Sequence, residues 1–168
     1  IIPIIPHERV SSPEMNQQTI EHLMRIAMQE AQIATNQGNY PFGAVLADRE
    51  GNIIARAHNT QISDVDPTAH AEINLIRAMA KQDQEDLSSC TLVSNAESCS
   101  MCMSAAIKVG ILKYILGAPS EAHMEPYLTV SDVALYCRRE LDISLGVLSA
   151  ECQQQIASIR EEQGRLAQ

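Results

Sequence analysis

Apolar residues recur at Ile20, Leu23, Met24, Ala27, Ala31 and Ala34, a three-and-four spacing that lays one stripe along a helix. Ser12-Pro13-Glu14 upstream reads as an N-cap, a proline at the first helical position and an acidic first turn, and the helix should close near Gly38. Phe42 to Ala47 and Ile53 to Ala57 flank Asp48-Arg49-Glu50-Gly51-Asn52, the pattern of a two-stranded hairpin with glycine at the strained position. Asp66-Pro67-Thr68 signals a helix start, and Ile73, Ile76 and Met79 carry that helix to about Lys81. Further on, the pattern predicts a strand at Leu92 to Ser94, a helix at Ser100 to Val109 and a strand at Ile111 to Leu116. It then predicts a helix at Val130 to Leu141, a strand at Ile143 to Leu148 and a closing helix at Ala150 to Leu166. Helices alternating with strands in this order predict an α/β fold, a three-layer α/β/α sandwich around a five-stranded mixed sheet.

The length of 168 residues fits one domain spanning residues 1–168. Ile1 to Pro6 is apolar but short and broken by two prolines, so residues 1–11 are expected to form an extended arm rather than a targeting segment. No apolar run approaches the roughly 18 residues that cross a bilayer, and no membrane association is expected. Five cysteines, an odd and scattered set, fit a reducing compartment, and cytoplasm is the expected location. Twelve basic residues against 21 acidic ones leave a net charge of −9. Polyanion binding draws on basic patches, and with one phenylalanine, four tyrosines and no tryptophan stacking platforms are scarce. These counts argue against a nucleic-acid partner and for a small-molecule substrate.

Chemistry concentrates in His70-Ala71-Glu72 and Cys99-Ser100-Met101-Cys102. Alone, the second stretch could be a redox pair, half of a structural zinc site or two buried thiols. With His70 at the preceding helix start, the set becomes one imidazole and two thiols. Three nitrogen and sulfur ligands with an open fourth position describe a catalytic Zn²⁺ site, and Glu72 remains as an acid/base. A structural site would need a fourth ligand, for which His58, Cys90 and His123 are candidates. Residues two apart on a helix face different sides, so His70 and Glu72 share a pocket only if the turn leading into the helix re-aims one of them. A helix start at Cys99 would favour its thiolate. Met101 and Met103 are expected in the core.

H-x-E followed by P-C-x-x-C is the signature of the zinc-dependent cytidine and nucleobase deaminases, and this chain resembles that superfamily. Pro41-Phe42-Gly43-Ala44-Val45, Asn59, Asp66 to Ile73 and Glu97 to Cys102 look like the corresponding stretches of guanine deaminases and tRNA adenosine deaminases. Gly146-Val147-Leu148 and Glu151-Cys152 look like the tail of the tRNA enzymes. The resemblance implies a cytidine deaminase-like fold, Zn²⁺ held by His70, Cys99 and Cys102, and Glu72 as the proton shuttle. It further implies that Asn59 hydrogen-bonds the substrate base, that the peptide groups of Ala71 and Ser98 line the pocket, and that the chain forms a homodimer. Ser98 stands where the signature has proline, and its hydroxyl is expected to cap the cysteine helix. Residues 114–127, including His123 and Glu125, match no family pattern and read as a surface loop or a substrate-selecting lid.

The expected function is therefore hydrolytic deamination of a small free nucleobase or nucleoside, guanine-like or cytosine-like, with release of ammonia. A tRNA adenosine deaminase and a catalytically silent zinc-binding subunit are the alternatives.

Overall fold

The computed structural model describes residues 15–81, 87–120 and 128–166, with side chains described through residue 159. Ser12, Pro13, Glu14 and the arm at 1–11 lie outside the described residues, as does 121–127 of the 114–127 tract.

Helix α1 spans Gln17–Asn36, and its N-cap is Asn16, whose side chain accepts from the Thr19 N–H at 2.9 Å. The apolar stripe is buried from Leu23 to Ala34. Strands β1 (Gly43–Ala47) and β2 (Ile53–His58) form the hairpin, with Gly51 at φ +87°. Helix α2 (Ala71–Ala80), β3 (Thr91–Ala96), α3 (Ser100–Lys108) and β4 (Lys113–Ala118) follow, then α4 (Val130–Tyr136), β5 (Asp142–Leu145) and α5 (Ser149–Leu166).

The sheet runs β2-β1-β3-β4-β5, with β1 antiparallel to β2 and β3, and β3, β4 and β5 parallel. Alternate side chains of the central strands enter two cores. Ala44, Leu46, Leu92, Tyr114 and Leu116 pack with Leu75 and Met79 of α2, Met103 and Ala106 of α3, and Val130 of α4. Val45, Val93 and Ile115 pack on the other face with Leu23, Met24 and Ala27 of α1 and Cys152 and Ile156 of α5. The architecture is the expected α/β/α sandwich around a five-stranded mixed sheet.

Gly43 sets the distance between α1 and the sheet. A Cβ there would stand 2.2 Å from the Ala27 carbonyl oxygen and 2.5 Å from the Ala31 nitrogen, so only glycine lets the helix backbone lie directly on the strand. Buried Asn95 locks the same corner, accepting from the Gly43 N–H at 2.9 Å and donating to the Pro41 carbonyl at 3.0 Å. This pins Phe42 between them.

Several boundaries differ from the pattern-based expectation. Strand β4 starts at Lys113, not Ile111, because the Ile111 N–H bonds the Ala106 carbonyl at 3.0 Å and closes α3. Helix α4 stops at Tyr136, where Cys137 turns extended with ψ 133°. Strand β5 ends at Leu145, since Gly146 and Leu148 take φ +75° and +49° and leave the strand conformation. Met103 is buried, but Met101 remains 36% exposed, so only the first of the two belongs to the core.

Candidate active site

The parallel strands β3 and β4 run toward the same edge, and chain reversals beyond their C-terminal ends build the site there, as in open α/β sheets generally. His70 is the residue capping α2, with extended φ −69° and ψ 157°, and Glu72 lies in the first turn. The extended cap re-aims the imidazole, and that is how residues two apart reach one pocket. Cys99 caps α3 in the same way at φ −68° and ψ 165°, with Cys102 one turn in. Both helix N-termini therefore point their partial positive charge at the site, where it favours thiolates.

Cys99 Sγ and Cys102 Sγ stand 3.6 and 3.5 Å from His70 Nδ1, and the three ligand atoms lie within 4.8 Å of one another. A tetrahedral ion with Zn–S about 2.3 Å and Zn–N about 2.0 Å holds nitrogen and sulfur roughly 3.5 Å apart, so these donors fit zinc in both type and spacing. The hydrogen bond from Cys102 draws the Cys99 thiol down to about 4, against the cost of burial. The same bond, followed by burial and the Glu72 charge, pushes Cys102 up.

Glu72 is only 5% exposed. Its Oε1 accepts from the Ser98 hydroxyl at 2.7 Å, so Ser98 does not cap α3 as its position suggests. The cap residue is Cys99, and no side chain hydrogen-bonds as its cap.

Beside these groups lies a cavity of about 320 Å³. It is lined by His70, Glu72 and Cys99, by Phe42, Ser94 and Glu97, by Pro119 and Ser120 after β4, and by Gln153, Ile156 and Ala157 of α5. Glu97 is held in place by the Ser120 N–H at 3.2 Å.

Residues 17–118 match the cytidine and deoxycytidylate deaminase zinc-binding region. The chain belongs to this deaminase family. Among relatives of the deaminase chain, the tRNA-specific adenosine deaminase of Haemophilus influenzae is 35% identical over 142 residues, covering 82% of this chain and 81% of the relative. A probable cytosine deaminase of Schizosaccharomyces pombe is 35% identical over 112 residues, 67% of each chain. The guanine deaminase structure of Nitrosomonas europaea superposes with a TM-score of 0.72 at 22% identity, covering 94% of this chain and 98% of that one, and shows the shared fold. By family, then, this is a zinc-type deaminase, with one histidine and two cysteines placed to bind the ion.

The remaining residues singled out in the sequence sit close by but differ in how they face the cavity. Asn59 is fully buried, and its amide is closed on Gln61, accepting from that N–H at 3.0 Å and donating to its side chain at 2.7 Å. Its own N–H donates to the Phe42 carbonyl at 3.0 Å, which places it directly behind a cavity wall. Ala71 is buried in the α2 core. Neither these two nor Ser98 is among the residues lining the cavity.

Sequence reasoning did not pick out Phe42, Ser94, Ser120 or the α5 residues as lining. Phe42 carried one signal, as the single phenylalanine of the chain inside a quoted motif. The α5 residues carried none, because their pattern is that of any amphipathic helix. Among the described residues no helix is long and apolar enough to cross a membrane.

Proposed function

We propose that this deaminase hydrolyses the exocyclic amine of a small free nucleobase or nucleoside, guanine-like or cytosine-like. The observation that carries the reading is the cavity of about 320 Å³ beside His70, Glu72 and Cys99, which α5 helps to line and which has no lysine or arginine among its described lining residues. That volume is in the range of small-molecule sites. A polynucleotide substrate would bring flanking phosphates to the mouth, where affinity comes from cationic side chains. The S. pombe relative supports a cytosine-like substrate, and the resemblance of the motif stretches supports a guanine-like one.

His70, Cys99 and Cys102 would hold the ion. Zinc bound there supplies Lewis acidity that brings the pKa of a coordinated water toward neutrality. Glu72 takes a proton from the attacking water, passes it to the ring nitrogen beside the amine, and assists departure of ammonia. Phe42 and Ile156 offer apolar surface to the flat base. The family resemblance assigns the base edge to Asn59 and pocket contacts to the peptide groups of Ala71 and Ser98; since none of the three lines the cavity here, these roles require them to turn toward it when the base binds. A homodimer is what the family resemblance implies, and a monomeric mass in sedimentation would refute it.

A second reading, tRNA adenosine deamination, is favoured by the 35% identity to the H. influenzae enzyme. Ammonia release from guanine, cytosine, their nucleosides, an amino-triazine, an aminopterin-type heterocycle and an anticodon stem-loop separates the two. Release from a free base or nucleoside is expected. Release from the RNA alone, with a steep salt dependence, would replace the proposal with the second reading. Release from none would indicate a silent zinc-binding subunit.

A further inference from the structure

We infer that Ser98 is a positioning residue for Glu72, through a hydrogen bond that the family's proline at this position has no hydroxyl to make. The inference rests on the deaminase reading of Glu72. Ser98 is 3% exposed, and its hydroxyl lies 2.7 Å from Glu72 Oε1 across 26 residues of sequence. At 2.7 Å this is a short, well-formed O–H···O hydrogen bond. Ser98 immediately precedes Cys99 and follows Glu97, so its place in space is set by two residues of the site wall. Glu72 is anchored at the other end by the first turn of α2.

A buried serine beside a helix start has a default task, capping. Here that task is not taken, because α3 begins one residue later with Cys99 as its cap. The hydroxyl is directed instead at Glu72, which lines the cavity beside His70 and Cys99. Glutamate has three side-chain torsions, and a carboxylate that must reach water, a ring nitrogen and a leaving amine in turn needs them restricted. The Ser98 bond ties one oxygen and fixes the plane of the other. This couples the cysteine loop to the acid/base residue of the neighbouring helix.

The test uses zinc-loaded full-length protein with the wild type, Ser98→Ala, Ser98→Thr and Ser98→Pro side by side, each checked for zinc content and thermal midpoint. The expected result is one zinc per chain throughout, with kcat about ten- to a hundredfold lower in the alanine and proline variants and KM nearly unchanged. Threonine, which keeps the hydroxyl, should restore most of the rate. Crystal structures of the zinc-loaded wild type and the alanine variant supply a readout independent of turnover: the Glu72 carboxylate should be ordered against Ser98 in the first and rotated or split in the second. A rate within twofold of wild type in the alanine variant, or an unmoved carboxylate, overturns the inference. Should the alanine variant not fold, the proline variant and the wild-type structure decide it by the same two criteria. A wild type inactive on every substrate, with the carboxylate still displaced in the variant, would reject the deaminase reading and leave the positioning contact standing.

Discussion

Replacing Gly43 with alanine tests how α1 is seated on the sheet. The added methyl would meet the Ala27 oxygen at 2.2 Å, the Ala31 nitrogen at 2.5 Å and Glu30 Cβ at 2.7 Å. Two of the three are backbone atoms of a helix whose Leu23, Met24, Ala27, Ala31 and Ala34 are fully buried, so no side chain can swing clear. Relief to ordinary contact requires the helix to withdraw by roughly 1 Å, which loosens the packed stripe below it. Overpacking of this kind costs about 3 kcal/mol, the upper part of the usual range. For a chain of this size that is a fall of roughly 6–12 °C in Tm. Gly38→Ala is the control: nothing lies within 4 Å of its Cβ, and its φ of +81° exacts only the left-handed penalty, about 1 kcal/mol. Urea unfolding of both variants in the zinc-loaded state, with the slope compared to wild type, reads the two costs. Equal losses for the two glycines, or a Gly43→Ala loss below about 1 kcal/mol, would refute the steric argument.

Acid should also loosen the Asp66–Thr68 turn in the loop before α2. Asp66 is held below its ordinary value by the Thr68 hydroxyl and N–H, with Arg77 helping. A carboxylate depressed in the folded state contributes stability that is present above its ordinary value and lost as the pH falls through the folded one. Urea midpoints of wild type and Asp66→Asn should therefore differ near neutrality, begin to draw together as the pH falls below the ordinary carboxylate value of about 3.9, and meet only below the depressed folded-state value; a gap independent of pH would contradict this. Metal removal should expose a reactive thiol. With Cys99 held near 4 and the buried Cys152 pushed up to about 11, a thiol reagent at neutral pH should modify Cys99 in the chelator-treated protein and spare Cys152, while zinc protects Cys99. Mass mapping showing Cys152 labelled as fast as Cys99 would refute it.

The legibility of the fold in the sequence was uneven for physical reasons. The stripe from Ile20 to Ala34, the hairpin around Gly51 and the start of α3 at Ser100 rest on local chemistry and formed where their patterns placed them, whereas α2 begins at Ala71 with His70 as its cap, later than the Asp66-Pro67-Thr68 signal. Termini that depend on chain reversal drifted. Ile111 looks like a strand residue but is consumed in closing α3, and a run of apolar residues does not reveal the turn at Gly146 to Leu148. The metal donors were readable because zinc needs particular atoms at particular spacing. The cavity wall was less so. Gln153, Ile156 and Ala157 reach the site from a helix that begins some fifty residues after Cys99, a contact with no local signature. Ser98 shows the opposite failure, a residue whose local pattern suggested a cap while a partner 26 positions away claimed its hydroxyl.

The central claim is that His70, Cys99 and Cys102 hold zinc for a reaction in which Glu72 moves the protons. Zinc content and ammonia release measured on the same preparations of wild type and Glu72→Ala test it most directly. The account predicts one zinc per chain in both, release of ammonia from the best substrate by the wild type, and a rate at least about a hundredfold lower in the variant. Unchanged turnover in Glu72→Ala, or activity that survives complete removal of the metal, would contradict it.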